Sequence, residues 1–343
     1  VMEEQQAKST TAIIMKANTG EIVAMSTKPS FDLNDVPRND PSVLLENVKN
    51  KAVVDVYEPG STFKILTMAA TLEENTANDN SRFYCGGSTT VDGERIKCWR
   101  SIGHGSQTLS EGLANTCNCV FVDLALRLGT DTFYNYFSAF GLGQKTGIEI
   151  SGESAGIIMN KDSAKRVDLA RMGFGQAIAV TPLQLITAVC SAVNGGTLYE
   201  PYLIKQIVSP DGKIIEENYA TPVRQVVSAS TSKTLNAMLE GVVSKTGKYT
   251  FVPGYEIGGK TGTSQKYENG SIARGKYVSS FIGTYPASNP EYVLLLLVGE
   301  PGTGAYYGSV VASPYAKEIF AGMFDYLNIK PDDPTLASAE VAT

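Results

Sequence analysis

The chain has 343 residues, 43% apolar and 19% charged, enough to bury a core in one large domain or two smaller ones. A net charge of −6 with no long run of Lys or Arg argues against nucleic acid as the main partner, since backbone phosphates need a basic face, and gives a membrane surface no better support. The longest apolar run, YVLLLLV at 292–298, is far short of the roughly 20 residues of a spanning helix and has the length of a buried strand.

The first residues, VMEEQQAKSTT, lack the basic start and apolar middle of a signal peptide. A start other than Met suggests a piece of something longer, with any membrane anchor outside it. Residues 10–27 then read as two strands around the turn Asn18-Thr19-Gly20. Helical patterns follow: STFKILTMAATLEE, SEGLANTCNCVFVDLALRLG, TDTFYNYFSAFG, TPLQLITAVCSAV and STSKTLNAMLEGVV, several opened by Ser, Thr or Pro and closed by Gly. GYEIGGKTGTSQ, YVSSFIGTYP and YVLLLLVGEP read as three further strands, so the two ends of the chain are expected to share one antiparallel sheet. SPYAKEIFAGMFDYLN is a final helix suited to cover it. The pattern is α+β, with one domain over 1–330 and a solvated tail over 331–343.

Three nucleophile arrangements compete. GESAG at 152–156 fits the G-x-S-x-G elbow around Ser154, but the only histidine, His104, precedes it and no helical pattern follows, so the elbow is rejected. Without a histidine in the right place, a serine enzyme needs a lysine base. Ser61 and Lys64 in YEPGSTFKILTMAA supply one: spacing i to i+3 puts them on one helix face, and the helix N-terminus favours a developing oxyanion. A lone Ser-x-x-Lys is more often a helix cap beside a solvated lysine. Here Thr116-Cys117-Asn118 and Lys260-Thr261-Gly262-Thr263 follow in the chain order S-x-x-K, S-x-N, K-T-G.

On those motifs, with GQAIAVTPLQL between them, nearly the whole chain resembles the transpeptidase domain of a class B penicillin-binding protein. NTCNCVFVDLALRLG and the CW..GHG pattern point to the sporulation-specific, spore-cortex branch. The resemblance implies an antiparallel sheet with helices packed on it plus an all-helical subdomain. It also implies acyl transfer on peptidoglycan stem peptides ending in D-Ala-D-Ala, and acylation by β-lactams. Ser61 would be the nucleophile and Lys64 its base, with a pKa well below that of free Lys through burial and the nearby cation Lys260. Thr116 and Asn118 would pass the proton and hold the peptide; the family usually has Ser at the first of these, and the extra methyl of Thr116 puts the relay in question. Lys260, Thr261 and Thr263 would bind the substrate carboxylate, the Ser61 and Thr263 N–H groups would form the oxyanion hole, and Gly262 would let the substrate lie along the strand.

No Glu between Asn118 and Lys260 is followed four residues later by Asn, the signature of class A β-lactamase deacylation, which favours a long-lived acyl-enzyme. A D,D-carboxypeptidase, using water as acceptor, and a non-catalytic β-lactam sensor remain as alternatives. The resemblance further implies a glycosyltransferase partner of the full-length protein, and anchorage by an N-terminal helix at the extracytoplasmic face, for the sporulation branch that of the forespore outer membrane.

Five cysteines cannot all pair within one chain. Cys190 falls in an apolar helical pattern and reads as core. Cys85, Cys98, His104, Cys117 and Cys119 fall within 35 residues, and CGGSTTVDGERIKC reads as a hairpin turning at Val91-Asp92-Gly93. Thiolates and imidazole in fourfold coordination suit structural zinc, here Cys85, Cys98, His104 and Cys119, with Cys117 or Asp92 able to substitute as the fourth ligand. A Cys85–Cys98 disulfide, or free thiols beside a hydrogen-bonded His104, are the other readings.

Overall fold

The computed structural model describes residues 1–246, 250–268 and 271–339. Strands β1 (Ser9–Lys16) and β2 (Ile22–Lys28) form the expected hairpin. Helix α1 (Lys64–Glu73) follows, then the small hairpin β3 (Ser88–Val91) and β4 (Glu94–Lys97), whose turn residues Asp92 and Gly93 both take positive φ. The helical part comprises α2 (Leu109–Ala114), α3 (Asn118–Ala139), α4 (Pro182–Val193) and α5 (Ala229–Thr246). Strands β5 (Gly258–Glu268), β6 (Ser271–Tyr285) and β7 (Tyr292–Gly299) return to the sheet before α6 (Ser313–Leu327).

The sheet order is β5-β6-β7-β1-β2, antiparallel throughout, so the two ends of the chain do share one sheet. The apolar run in β7 is explained by its central place: seven of its eight residues are buried, because both faces are covered. Ile13, Met15, Ile282, Val293 and Leu295 pack toward the helical part with α4, while Phe281, Leu294, Leu296 and Val298 meet Phe320 and Phe324 of α6. Each such side chain contributes about 1.5–3 kcal/mol on burial.

Two expectations about elements are revised, and a third holds. The segment 110–129 is not one helix: α2 ends at Ala114 and α3 begins at Asn118, leaving Thr116 and Cys117 in a bend. The pattern at 130–141 is a separate helix, as expected: Gly129, with φ of 75 and ψ of 164, breaks the helical path, so α3 is two helices meeting at a kink there. Residues 334–339 of the expected solvated tail are helical, and the chain before them is tied in by Asp333 N–H donating to Gly254 O at 3.0 Å.

Candidate active site

Pro59 and Gly60 keep the helix from starting early, and Gly60–Phe63 form a 3-10 turn that runs into α1 at Lys64. A Cβ on Gly60 would stand 3.1 Å from Thr263 O, so the turn bearing Ser61 lies against edge strand β5. Lys64 is 0% exposed. Its Nζ donates to Thr116 O and to Asn118 Oδ1, both at 2.8 Å, and sits 5.1 Å from the centre of the Phe121 ring. Burial lowers its pKa from 10.5 to about 7, opposed by the nearby thiols of Cys98, Cys117 and Cys119.

Lys260 is equally buried, and its Nζ donates to Thr116 Oγ1 at 2.6 Å and to Thr261 O at 3.1 Å. Burial, then repulsion from Lys64, holds its pKa well below 10.5. The repulsion expected to depress Lys64 therefore bears on Lys260, and for Lys64 burial is the cause. Thr116 reaches both lysines because its φ is +54, a conformation that costs a β-branched residue on the order of 1–3 kcal/mol. Its carbonyl faces Lys64 while its hydroxyl faces Lys260. Asn118 opens α3 and also donates from Nδ2 to Lys97 O at 3.1 Å, joining Lys64 to the β3–β4 hairpin.

Along β5 the alternation of a strand decides which side chains open to solvent. Lys260, Gly262 and Ser264 are buried, while Thr261 and Thr263 are half-buried. They share a cleft of about 500 Å3 with Ser61, Asn118, Arg100 and Tyr307. Thr263 Oγ1 accepts from Gly308 N–H at 3.0 Å. Gly262 was expected to make room for substrate, but a Cβ there would stand 2.4 Å from Ser280 Oγ and 3.0 Å from Thr62 Cγ2. It is the close packing of β6 and of the turn bearing Ser61 that demands glycine.

A second cavity of about 660 Å3 is lined among others by Glu58, Ala177, Gln265 and Lys266. Glu58 Oε1 accepts from Ala177 N–H at 2.7 Å, and Oε2 is buried without a hydrogen-bond partner among the described residues. Burial raises its pKa to about 7. The rejected elbow is structural: Glu153 accepts from Thr146 and Gly147, and Ser154 N–H donates to Val53 O.

Beside the lysines, Cys85, Cys98, Cys117 and Cys119 bring their Sγ atoms within 4.8 Å of one another, all four buried. Cys85 ends the strand Phe83–Cys85, Cys98 follows β4, and Cys117 and Cys119 flank Asn118 at the start of α3. The fourth thiol is thus Cys117, and the expected ligand His104 stands outside the tetrad, its Nδ1 3.7 Å from Cys98 Sγ. Its Nε2 is buried with no partner among the described residues, and its ring lies 5.5 Å from that of Trp99. Asp92 is at the hairpin turn, paired with Arg166 at 3.3 Å, and takes no part. All five cysteines are free thiols, Cys85 and Cys98 included. Hydrogen bonds from Cys117 and Cys119 hold the Cys98 thiol far below its ordinary pKa, and Cys119 is pushed up by the same contacts.

The cleft walls hold residues that the motifs did not point to. Trp99, Arg100, Tyr307 and Gly308 all line the cleft. The aromatic cluster AYY after β7 and the adjacency of Trp99 to Cys98 were the available signals.

Residues 10–321 match the model of the penicillin-binding protein transpeptidase domain. The chain is 42% identical over 323 residues to stage V sporulation protein D of Bacillus subtilis, covering 93% of this chain and 50% of that protein. It is 30% identical to the peptidoglycan D,D-transpeptidase FtsI of Escherichia coli, covering 95% and 53%. It therefore spans about half the length of the curated relatives it matches. Among solved structures it is similar to penicillin-binding protein 3 of Mycobacterium tuberculosis in complex with aztreonam, with a TM-score of 0.87, 30% identity, and 98% of this chain and 76% of that one covered. The transpeptidase domain of penicillin-binding protein 3 from Burkholderia pseudomallei gives 0.82, 26%, 97% and 92%. With the fold, the motif order and the family model in agreement, the chain belongs to the family of penicillin-binding protein transpeptidase domains.

Proposed function

We propose that this domain is a serine D,D-transpeptidase that cross-links peptidoglycan stem peptides through an acyl-enzyme on Ser61. The observation that carries the reading is Lys64: a fully buried amine with a pKa of about 7, one turn from Ser61 and held by Thr116 O and Asn118 Oδ1. A neutral amine there takes the Ser61 proton as its oxygen attacks the penultimate carbonyl of D-Ala-D-Ala. The Ser61 and Thr263 N–H groups hold the oxyanion, and Lys260 with the Thr261 and Thr263 hydroxyls receives the terminal carboxylate. As the C–N bond breaks, the proton returns to the departing D-Ala amine. An amine of a neighbouring stem then takes the acyl group and restores Ser61.

Thr116 joins the two lysines, its hydroxyl on Lys260 and its carbonyl on Lys64, so proton traffic and carboxylate binding meet at one residue. A β-lactam enters as a mimic of the acyl donor. The similarity to stage V sporulation protein D supports a role in sporulation, with the full-length protein anchored at the extracytoplasmic face of a membrane and working beside a glycosyltransferase. Mass spectrometry after incubation with benzylpenicillin tests the chemistry: one stable adduct on Ser61 is expected, absent in Ser61→Ala. Rapid loss of the adduct, or release of D-Ala unaffected by acceptor amine, would favour a hydrolase, and a stable adduct without peptide turnover would favour a sensor.

A second reading concerns the cysteines. Four thiols within 4.8 Å of one another, buried beside two lysines, fit tetrahedral structural zinc, which keeps them as thiolates without mutual repulsion. We propose that Cys85, Cys98, Cys117 and Cys119 hold it, with His104 Nδ1 donating to the Cys98 thiolate from outside the coordination shell. The ion braces the β3–β4 hairpin against the start of α3. About one zinc per chain by elemental analysis is expected, lost in Cys117→Ser and kept in Cys190→Ser.

A further inference from the structure

Strand β5 orders the surroundings of Ser61. Thr261 and Thr263 line the 500 Å3 cleft with Ser61, and Gln265 and Lys266 line the other cavity. With the terminal carboxylate held at the Lys260 end, a donor peptide lying along this edge runs toward Gln265, and its last residue departs through the 500 Å3 cleft. Aminolysis of the acyl-enzyme is the reverse of that departure with a different amine. The acceptor therefore enters through the same cleft, and what lines it selects the acceptor.

Among the described residues lining this cleft, Arg100 bears the only full charge, and no carboxylate accompanies it. It is exposed, and its side chain makes no hydrogen bond or ion pair among the described residues. Its backbone is well fixed. Gly103 N–H donates to Arg100 O at 3.0 Å, the Trp99 indole donates to Asn115 O at 2.9 Å, and His104 N–H donates to Cys85 O at 3.0 Å. Gly87 and Gly103 make the loop still tighter: a Cβ on Gly87 would stand 1.9 Å from Ser101 O, and one on Gly103 2.1 Å from Cys85 O. A well-held backbone thus places a guanidinium with no partner among the described residues on a cleft whose other lining residues are uncharged, the chemistry that a free carboxylate fits.

We propose that Arg100 binds a free carboxylate of the incoming acyl acceptor, so that this domain selects amines borne by an anionic peptide or amino acid over neutral ones. The inference rests on the proposed serine mechanism, and its role is positioning: the guanidinium orients the acceptor while Ser61 and Lys64 do the chemistry. The bond formed is the new amide, the bond broken is the Ser61 ester, and the proton of the attacking amine passes to Lys64 and then to Ser61.

The test uses an acyl-D-alanyl thioester as donor and reads the ratio of aminolysis to hydrolysis with two acceptors. Glycylglycine, whose carboxylate lies one residue beyond the position served by Lys260 and the Thr261 and Thr263 hydroxyls, is compared with glycylglycinamide. The parent protein is expected to prefer glycylglycine. Arg100→Gln is expected to lose that preference by about tenfold or more, the scale of one charge-assisted hydrogen bond, with glycylglycinamide unaffected. Arg100→Lys is expected to recover part of it, and the rate of Ser61 acylation is expected to stay unchanged in both. An unchanged preference in Arg100→Gln overturns the inference, as does an equal loss for both acceptors or a fall in acylation, which would assign Arg100 to the donor. A parent protein that forms no acyl-enzyme would instead overturn the serine mechanism on which the inference rests.

Discussion

Asn118→Asp tests the electrostatic setting of the base. The side chain keeps its size and its acceptor oxygen, but a carboxylate now faces Lys64 Nζ across the present 2.8 Å contact. Two unit charges about 4 Å apart attract by about 4 kcal/mol at an effective dielectric of about 20. At 1.36 kcal/mol per unit that raises the Lys64 pKa by about 3, from about 7 to about 10. The active form is the neutral amine, so acylation rises with pH through the pKa. At pH 7.5 the neutral fraction falls from roughly three quarters to a few parts in a thousand, a loss of about two orders of magnitude. The assay is the second-order rate of acylation by a fluorescent penicillin between pH 6 and 11. The expected result is a midpoint near 7 in the parent and at least about 2 units higher in the variant, with much of the rate recovered at high pH. A slower variant with an unmoved midpoint would refute this, assigning Asn118 to peptide binding alone.

Other outcomes follow from the same geometry. Thr116→Ser keeps the hydroxyl on Lys260 and relieves a β-branched residue at φ +54, so acylation is expected within about threefold of the parent with Tm unchanged or slightly raised, whereas Thr116→Ala slows it clearly. Gly262→Ala is expected to cost about 2 kcal/mol or more by urea unfolding, because its Cβ meets Ser280 and Thr62 inside the fold. Glu58 has a folded pKa raised above its ordinary 4.5 to about 7, so its contribution is intact below pH 4.5 and lost as pH rises through 7; Glu58→Gln is expected to remove about 1–2 kcal/mol of that pH dependence, read as Tm against pH from 4 to 8. Treatment with a strong chelator is expected to lower both Tm and the rate of acylation, and added zinc to restore them; a chelated, metal-free protein of full activity would remove the zinc reading.

Much of this was legible from residue order. Ser61 and Lys64 sit three apart at a helix start marked by Pro59-Gly60, and local backbone geometry alone puts both side chains on one face. The unbroken apolar run in β7 likewise announced a buried strand, and the structure places it at the centre of the sheet. Composition and motif order sufficed for the fold class, because a strand or helix must bury the face its period creates.

What remained hidden depended on groups distant in sequence meeting at a few ångströms. The bend at Thr116 turns its hydroxyl to Lys260 and its carbonyl to Lys64, and the same bend brings Cys117 into the thiol cluster and leaves His104 beside it. Gly262 reads in sequence as room for a ligand, and only the packed strands reveal the neighbours that require it. Arg100 reads as one surface arginine among many until the cleft closes around it. The sequence by itself put Ser61 and Lys64 on one helix face and the two ends of the chain in one sheet, since those follow from short spacing and periodicity. The tertiary structure decided which donors share a site and which charge stands at its mouth, since those follow from packing between elements that no local pattern encodes.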